Sequence, residues 1–246
     1  MSIKGIWAVV YRDFLKEKRR GIKLFVGMIL GPLLFFIAFG WGLGSGIDVN
    51  GTSYIVFILT GLIAMNGMNT AFSIGMTINV ERFYWHTFEE FQVAPISVFD
   101  IAIGKILTGL FKGLIGSILI YLLGLAFGAA LRINLLLVIS IILNCFMFSS
   151  LALWIALVVK THSQQSDFNS FIMTPMAFLS GTFFQIDRFP VVIKYLAMIL
   201  PLTHSINCIR AAALRSPFPY YSLAIVAGYS LIFLFFASKS VRDLSI

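Results

Sequence analysis

Long apolar runs separated by short polar stretches set the pattern of this chain. They cover about residues 24–44, 54–78, 101–127, 133–159, 168–184 and 220–238. Each is close to the roughly 17–25 residues that a helix needs to cross a bilayer. The pattern therefore predicts an all-α integral membrane protein of six transmembrane helices, a single domain over residues 1–246. Ahead of the first span, Ile3, Ile6, Trp7, Val10 and Phe14 form one helical stripe, while Lys4, Arg12, Lys16, Lys18, Arg19 and Arg20 occupy most of the remainder. That is the signature of an amphipathic interfacial helix over residues 1–22, with cations at the headgroups. A signal peptide does not fit, because the apolar run that follows is too long and no small-residue cleavage site closes it.

One stretch breaks the alternation. Residues 178–210 (FLSGTFFQIDRFPVVIKYLAMILPLTHSINCIR) begin apolar, break at Gln185–Pro190, turn apolar too briefly to span, and break again at Pro201. Irregular backbone at membrane depth survives only where protein or a water-filled cavity satisfies its polar groups. The region 185–215 is therefore expected to dip and return as short re-entrant helices. The other unusual segment, residues 81–97 (ERFYWHTFEEFQVAPIS), mixes Glu81, Glu89 and Glu90 with five aromatic residues. Carboxylates suit water and aromatics suit an interface, so either a headgroup-contacting loop or a protein-docking loop fits the residues.

Composition narrows this picture. Of 246 residues 59% are hydrophobic and 11% charged, with a mean hydropathy of +0.96, against about 25% charged in soluble domains. The net charge of +8 raises nucleic acid as a partner. Seven of the 18 Lys and Arg precede residue 24, however, which fits an anionic lipid surface and no nucleic acid. Six spans put both termini on one side, together with the basic arm, Arg82, Lys160, Lys239 and Arg242. The positive-inside bias makes that side cytoplasmic and the 185–215 region external.

Chemistry inside the membrane is sparse. Asn66, Asn69 and Lys112 lie within spans and are candidates to line a path. Interhelical hydrogen bonds and snorkelling are the competing uses. Gly109, Gly113 and Gly116, then Gly124 and Gly128, give small-residue spacings for close helix packing. All ten acids lie outside the spans or at their ends, which counts against an ion-coupled secondary transporter or channel with a mid-depth acid. His86, His162 and His204 are scattered, Cys145 and Cys208 form no metal or redox spacing, and no catalytic nucleophile has a base beside it. No ATP-binding motif occurs, so driven transport requires an energy-supplying partner.

The chain resembles the permease subunits of ABC-2 type ABC exporters, of the drug- and lipooligosaccharide-exporting kind, over essentially its whole length. Such permeases show L-S-G-x-F-F-P-I-D-x-L-P, then P-L-T-H and a later arginine. Leu179, Ser180, Gly181, Phe183, Phe184, Ile186, Asp187, Pro190, Pro201, Leu202, Thr203, His204 and Arg210 match, with Gln185 in place of proline and Phe189 in place of leucine. The earlier loop resembles E-R-E-x-G-T-x-E-x-L-x-x-x-P through Glu81, Arg82, Thr87, Glu89 and Pro95, departing at Phe83 and His86.

The resemblance implies that residues 81–97 form a loop coupled to an ABC ATPase subunit, with Glu90 and Phe91 among its contacts. It implies that Phe184, Asp187, Pro190, Pro201, His204 and Arg210 shape an outer gate. It also implies two permease copies, identical or related, working with two ATPase subunits that carry ATP and magnesium; this chain itself would bind no cofactor. Substrates of such exporters include amphipathic drugs, lipid-linked glycans and polysaccharides.

Overall fold

Each apolar run becomes helix, and polar residues or prolines mark where helices stop. A computed structural model describes residues 2–19, 21–43, 48–49, 51–85, 87 and 96–243. Helix α1 (Ile3–Lys18) is followed by α2 (Ile22–Phe35), which continues as a π-helical stretch, Phe36–Leu43, four residues after Pro32 removes a donor from the ladder. A two-stranded antiparallel hairpin, β1 (Asp48–Val49) and β2 (Thr52–Ser53), then reverses the chain. Helices α3 (Tyr54–Phe72) and α4 (Ile74–Phe83) form one rod, joined through Ser73 in helical conformation.

After the loop come α5 (Val98–Ala126) and α6 (Leu135–Val158). Their starts follow from capping. Ser97 and Asp100 form a reciprocal capping box on α5, and the Asn134 side chain accepts from the Leu137 amide of α6 at 2.8 Å. Helix α7 (His162–Phe168), a π-turn at Asn169–Met173 and α8 (Thr174–Leu179) follow. Then come α9 (Val191–Ile199), α10 (Pro201–Leu214) and α11 (Tyr220–Asp243).

Among the described residues, five helices are long and apolar enough to cross a membrane: Ile22–Gly40, Tyr54–Phe83, Phe99–Ala126, Leu135–Val158 and Tyr220–Arg242. The pair α9–α10, bent by 85°, makes a sixth if counted as one span. This is an all-α, multi-pass membrane protein. The expected run over residues 168–184 differs from its prediction. Its helix begins in the polar His162–Asp167 segment and stops at Leu179, because Gly181 (φ +84°) turns the chain away.

The α3–α4 rod is the centre of the bundle: 83% of its apolar window is buried, against 17% for α2. It packs on α5, α6 and α10. Lipid supplies no hydrophobic drive between helices, so polar and small residues hold this core. Asn66 donates to the Gly116 carbonyl at 2.9 Å, Asn144 to Ala64 at 3.0 Å, Ser149 to Ile106 at 2.7 Å and Ser117 to Ile63 at 3.2 Å. Gly113 lies where a side chain would meet the Cys145 sulfur at 2.8 Å and Ala71 at 2.9 Å. Asn66 is thus interhelical glue rather than a residue on an open face.

Candidate functional site

The foot of the bundle is built around one buried lysine. Lys105, fully buried on α5, donates to both oxygens of Asp13 on α1, at 2.8 and 3.0 Å, and to Glu81 on α4 at 2.7 Å. Glu81 is also fully buried and is held by Lys16 at 2.5 Å and Arg12 at 3.6 Å. Two acids and three cations thus lock three helices together. Two turns further along α5, and one turn along α1, Lys112 donates to Glu17 at 2.8 Å. At the start of α1 the Ser2 amide donates to Asp100 at 3.0 Å. These contacts lay α1 in parallel along the first half of α5. Gly104 permits the approach, since a side chain there would strike Val9 at 2.7 Å.

This geometry revises several expectations. Glu81 and Arg82, placed by sequence at the start of a loop, are the last turn of α4. The helix runs on because both side chains have partners. Arg82 donates to the carbonyls of Ala156, Leu157 and Val159, the unpaired C-terminal end of α6. Lys112 is paired with α1, so its ammonium is not a free charge in a path. Helix α1 buries Gly5, Ile6, Val9, Val10 and Asp13, whereas Ile3, Trp7 and Phe14 of the predicted stripe are exposed on its other side. Glu89, Glu90, Phe91 and Pro95 lie outside the described residues. Thr87 is described, and its hydroxyl is buried. The segment 88–95 lies in the connection from α4 to α5, and both of these helices are clamped to α1.

Sequence reasoning missed Asp13, Lys16, Glu17 and Lys105 as a group. The available signal was a pair of acids spaced i, i+4 in an otherwise basic helix, facing lysines spaced i, i+7 in an apolar one.

On the rod, one narrow face is open. Asn69 is exposed, and Ser73, Met76, Thr77 and Val80 continue its stripe half-buried, while the neighbouring positions are covered. Of the two asparagines considered for a path, Asn69 is the one on an open surface.

The opposite end is organised by the bend between α9 and α10. A helix leaves its last carbonyls unpaired, and here three side chains supply donors: Thr203 to Ala197 at 2.6 Å, His204 Nε2 to Met198 at 2.8 Å, and Tyr229 to Ile199 at 2.9 Å. The Met198 carbonyl can only accept, so Nε2 carries the proton and Nδ1 accepts from Ser222 at 3.3 Å. Pro201 opens α10, where a missing amide hydrogen costs nothing, and Pro190 caps α9.

Arg210 reaches from α10 to the Gly181 carbonyl (2.9 Å), the Phe57 carbonyl (3.3 Å) and the Thr60 hydroxyl (3.2 Å), and lies 3.7 Å over the Phe57 ring. The positive φ of Gly181 aims its carbonyl at the guanidinium. Asp187 pairs instead with Lys194 at 2.6 Å on an exposed surface. Phe184 is half exposed and meets Phe39 edge-on. The structure thus gathers Pro201, His204 and Arg210 on α10 and leaves Phe184, Asp187 and Pro190 in the preceding turn. His204→Ala is expected to leave the Met198 carbonyl unpaired and to cost about 1–3 kcal/mol. Thermal unfolding in detergent reads this, with His204→Gln recovering part of the loss.

The ABC-2 type transporter family matches residues 4–214, which include α1, the clamp and the bent pair. Nodulation protein J of Rhizobium meliloti (strain 1021) is 27% identical over 96% of this chain and 92% of its own length. Nodulation protein J of Rhizobium leguminosarum bv. viciae is 28% identical over 86% of this chain and 83% of its own. The inner membrane transport permease YadH of Escherichia coli (strain K12) is 28% identical over 85% of this chain and 82% of its own. The family is one of transport permeases rather than enzymes, and its members generally work with an ATPase subunit. A multi-span chain of this architecture, matched over residues 4–214, belongs to the ABC-2 type transporter family.

Proposed function

We propose that this chain is the membrane-spanning half of an ATP-driven exporter in a prokaryotic inner membrane, with both termini in the cytoplasm. Two copies, identical or related, enclose the path, and two ATPase subunits carrying ATP and magnesium dock beneath them. The cargo is an amphipathic drug, a lipid-linked glycan or a polysaccharide.

The observation that carries this reading is the clamp. The segment 88–95, whose acids and aromatics suit a protein surface, springs from α4 and α5, and both are fixed to α1 through Lys105. A push on that segment reaches the central rod directly, because α4 is continuous with α3. The open stripe Asn69–Ser73–Thr77 on the same rod offers polar groups to a path shared with the second copy. The bent pair α9–α10 closes the far end as a gate that shapes release.

Affinity purification from the native host in mild detergent tests the partner. An ATPase bearing a phosphate-binding loop is expected to co-purify. Glu89→Ala combined with Phe91→Ala is expected to lower its recovery at least about tenfold, as loss of a central interface anchor does. Recovery of folded chain without any ATPase contradicts the reading and leaves a stand-alone channel or secondary transporter.

A further inference from the structure

Between α1, α2 and α5 lies a crevice of about 760 Å³, within the roughly 300–1,000 Å³ range of small-molecule sites. Trp7 and Phe14 form one wall, Phe25 a second, and Phe111 and Ile115 the third. All five are exposed on their crevice-lining helices, although each is aromatic or branched. From Ile22 an exposed apolar row continues along α2 through Val26, Leu30 and Leu34. Lys18 is among the lining residues, as is the Glu17–Lys112 ion pair, and Arg19 and Lys23, next in sequence to lining residues, are exposed. The crevice is thus walled by apolar side chains, its Glu17 paired with Lys112, with the exposed cations Lys18, Arg19 and Lys23 at the junction of α1 and α2.

We propose that this crevice binds an anionic phospholipid of the leaflet on the N-terminal side, with an acyl chain between Trp7, Phe25 and Phe111 and the phosphate at Lys18 and Lys23. Charge decides the occupant. A second identical copy would bring the same cations against these in a self-complementary contact, whereas an anionic headgroup neutralises them. The apolar row of α2 leads an acyl chain outward from the crevice rather than toward the bundle core. The clamp holds α1 at a fixed distance from α5, so the crevice is preformed. This inference does not depend on the transport reading.

Trp7 reports on it. A variant retaining only this tryptophan (Trp41→Phe, Trp85→Phe, Trp154→Phe) is reconstituted in phosphatidylcholine nanodiscs doped with brominated phosphatidylglycerol or brominated phosphatidylcholine. Quenching by the anionic lipid is expected to saturate at a mole fraction about fivefold lower per lysine involved. Lys18→Gln with Lys23→Gln is expected to equalise the two lipids while zwitterionic quenching stays as it was. Native mass spectrometry of the wild-type chain, delipidated and then given phosphatidylglycerol, checks the same preference without tryptophan changes. Equal quenching by both lipids, quenching by neither, or an anionic preference that survives both lysine substitutions overturns the assignment.

Discussion

Lys105→Met is expected to yield little folded protein. The substitution preserves length and apolarity within α5 but strands Asp13 and Glu81, both buried, without their shared cation. Removing one partner from a buried ion cluster costs about 3–5 kcal/mol, because the remaining charges keep their desolvation and lose their compensation. That is a large part of the roughly 5–15 kcal/mol that holds a typical fold together. The triple variant Asp13→Asn, Glu81→Gln, Lys105→Met removes the stranded charges with their partner and is expected to recover most of the loss. Lys16 and Arg12 are partly exposed and find water instead. Fluorescence-detected size exclusion and the midpoint of thermal unfolding measure both variants. Wild-type behaviour of Lys105→Met alone would mean that the cluster does not hold α1 in place.

Arg210→Met is expected to disable the far end. Arg210 joins α10 to the Phe57 carbonyl on α3 and to Gly181 after α8, so its removal frees three segments together. Hydrogen bonds to a charged group contribute about 1.5–3 kcal/mol each, and an orphaned carbonyl adds its own desolvation cost. Arg210→Lys is expected not to rescue, since a single ammonium lacks the fork that reaches two carbonyls and a hydroxyl together. Phe57→Leu, which removes the ring under the guanidinium but keeps the carbonyl, is expected to cost less, about 0.5–2 kcal/mol. Unfolding midpoints rank the three variants. Equal midpoints for Arg210→Lys and wild type would count against the three-way tie.

What was legible in the sequence divides along physical lines. Spans are legible because the bilayer fixes their length and polarity, and five long helices stand where apolar runs predict them. The break at Pro201 is legible because proline cannot continue a helix. The reason for Thr203 and His204 is not, since it lies in carbonyls of α9 that only the folded bend exposes. The clamp was hidden for a different reason. Asp13 and Lys105 are 92 residues apart, and each reads locally as something ordinary, an acid on a basic arm and a lysine near a span end. The amphipathic stripe of α1 was visible, but which face meets protein depends on Asp13, a charge that counts as solvent-facing until its partner is seen. Asn66 and Asn69 show the same limit at three residues' distance, one sealed between helices and the other open.

In the proposed exporter, force enters this chain at the segment between α4 and α5. Photo-crosslinking in the native host tests it most directly, with the crosslinking amino acid placed at Glu89 and at Phe91, and at Tyr195 on exposed α9 as the far-end control. An adduct with an ATPase is expected at Glu89 and Phe91 and none at Tyr195. An ATPase adduct at Tyr195, or none at the segment while an ATPase co-purifies, would contradict it.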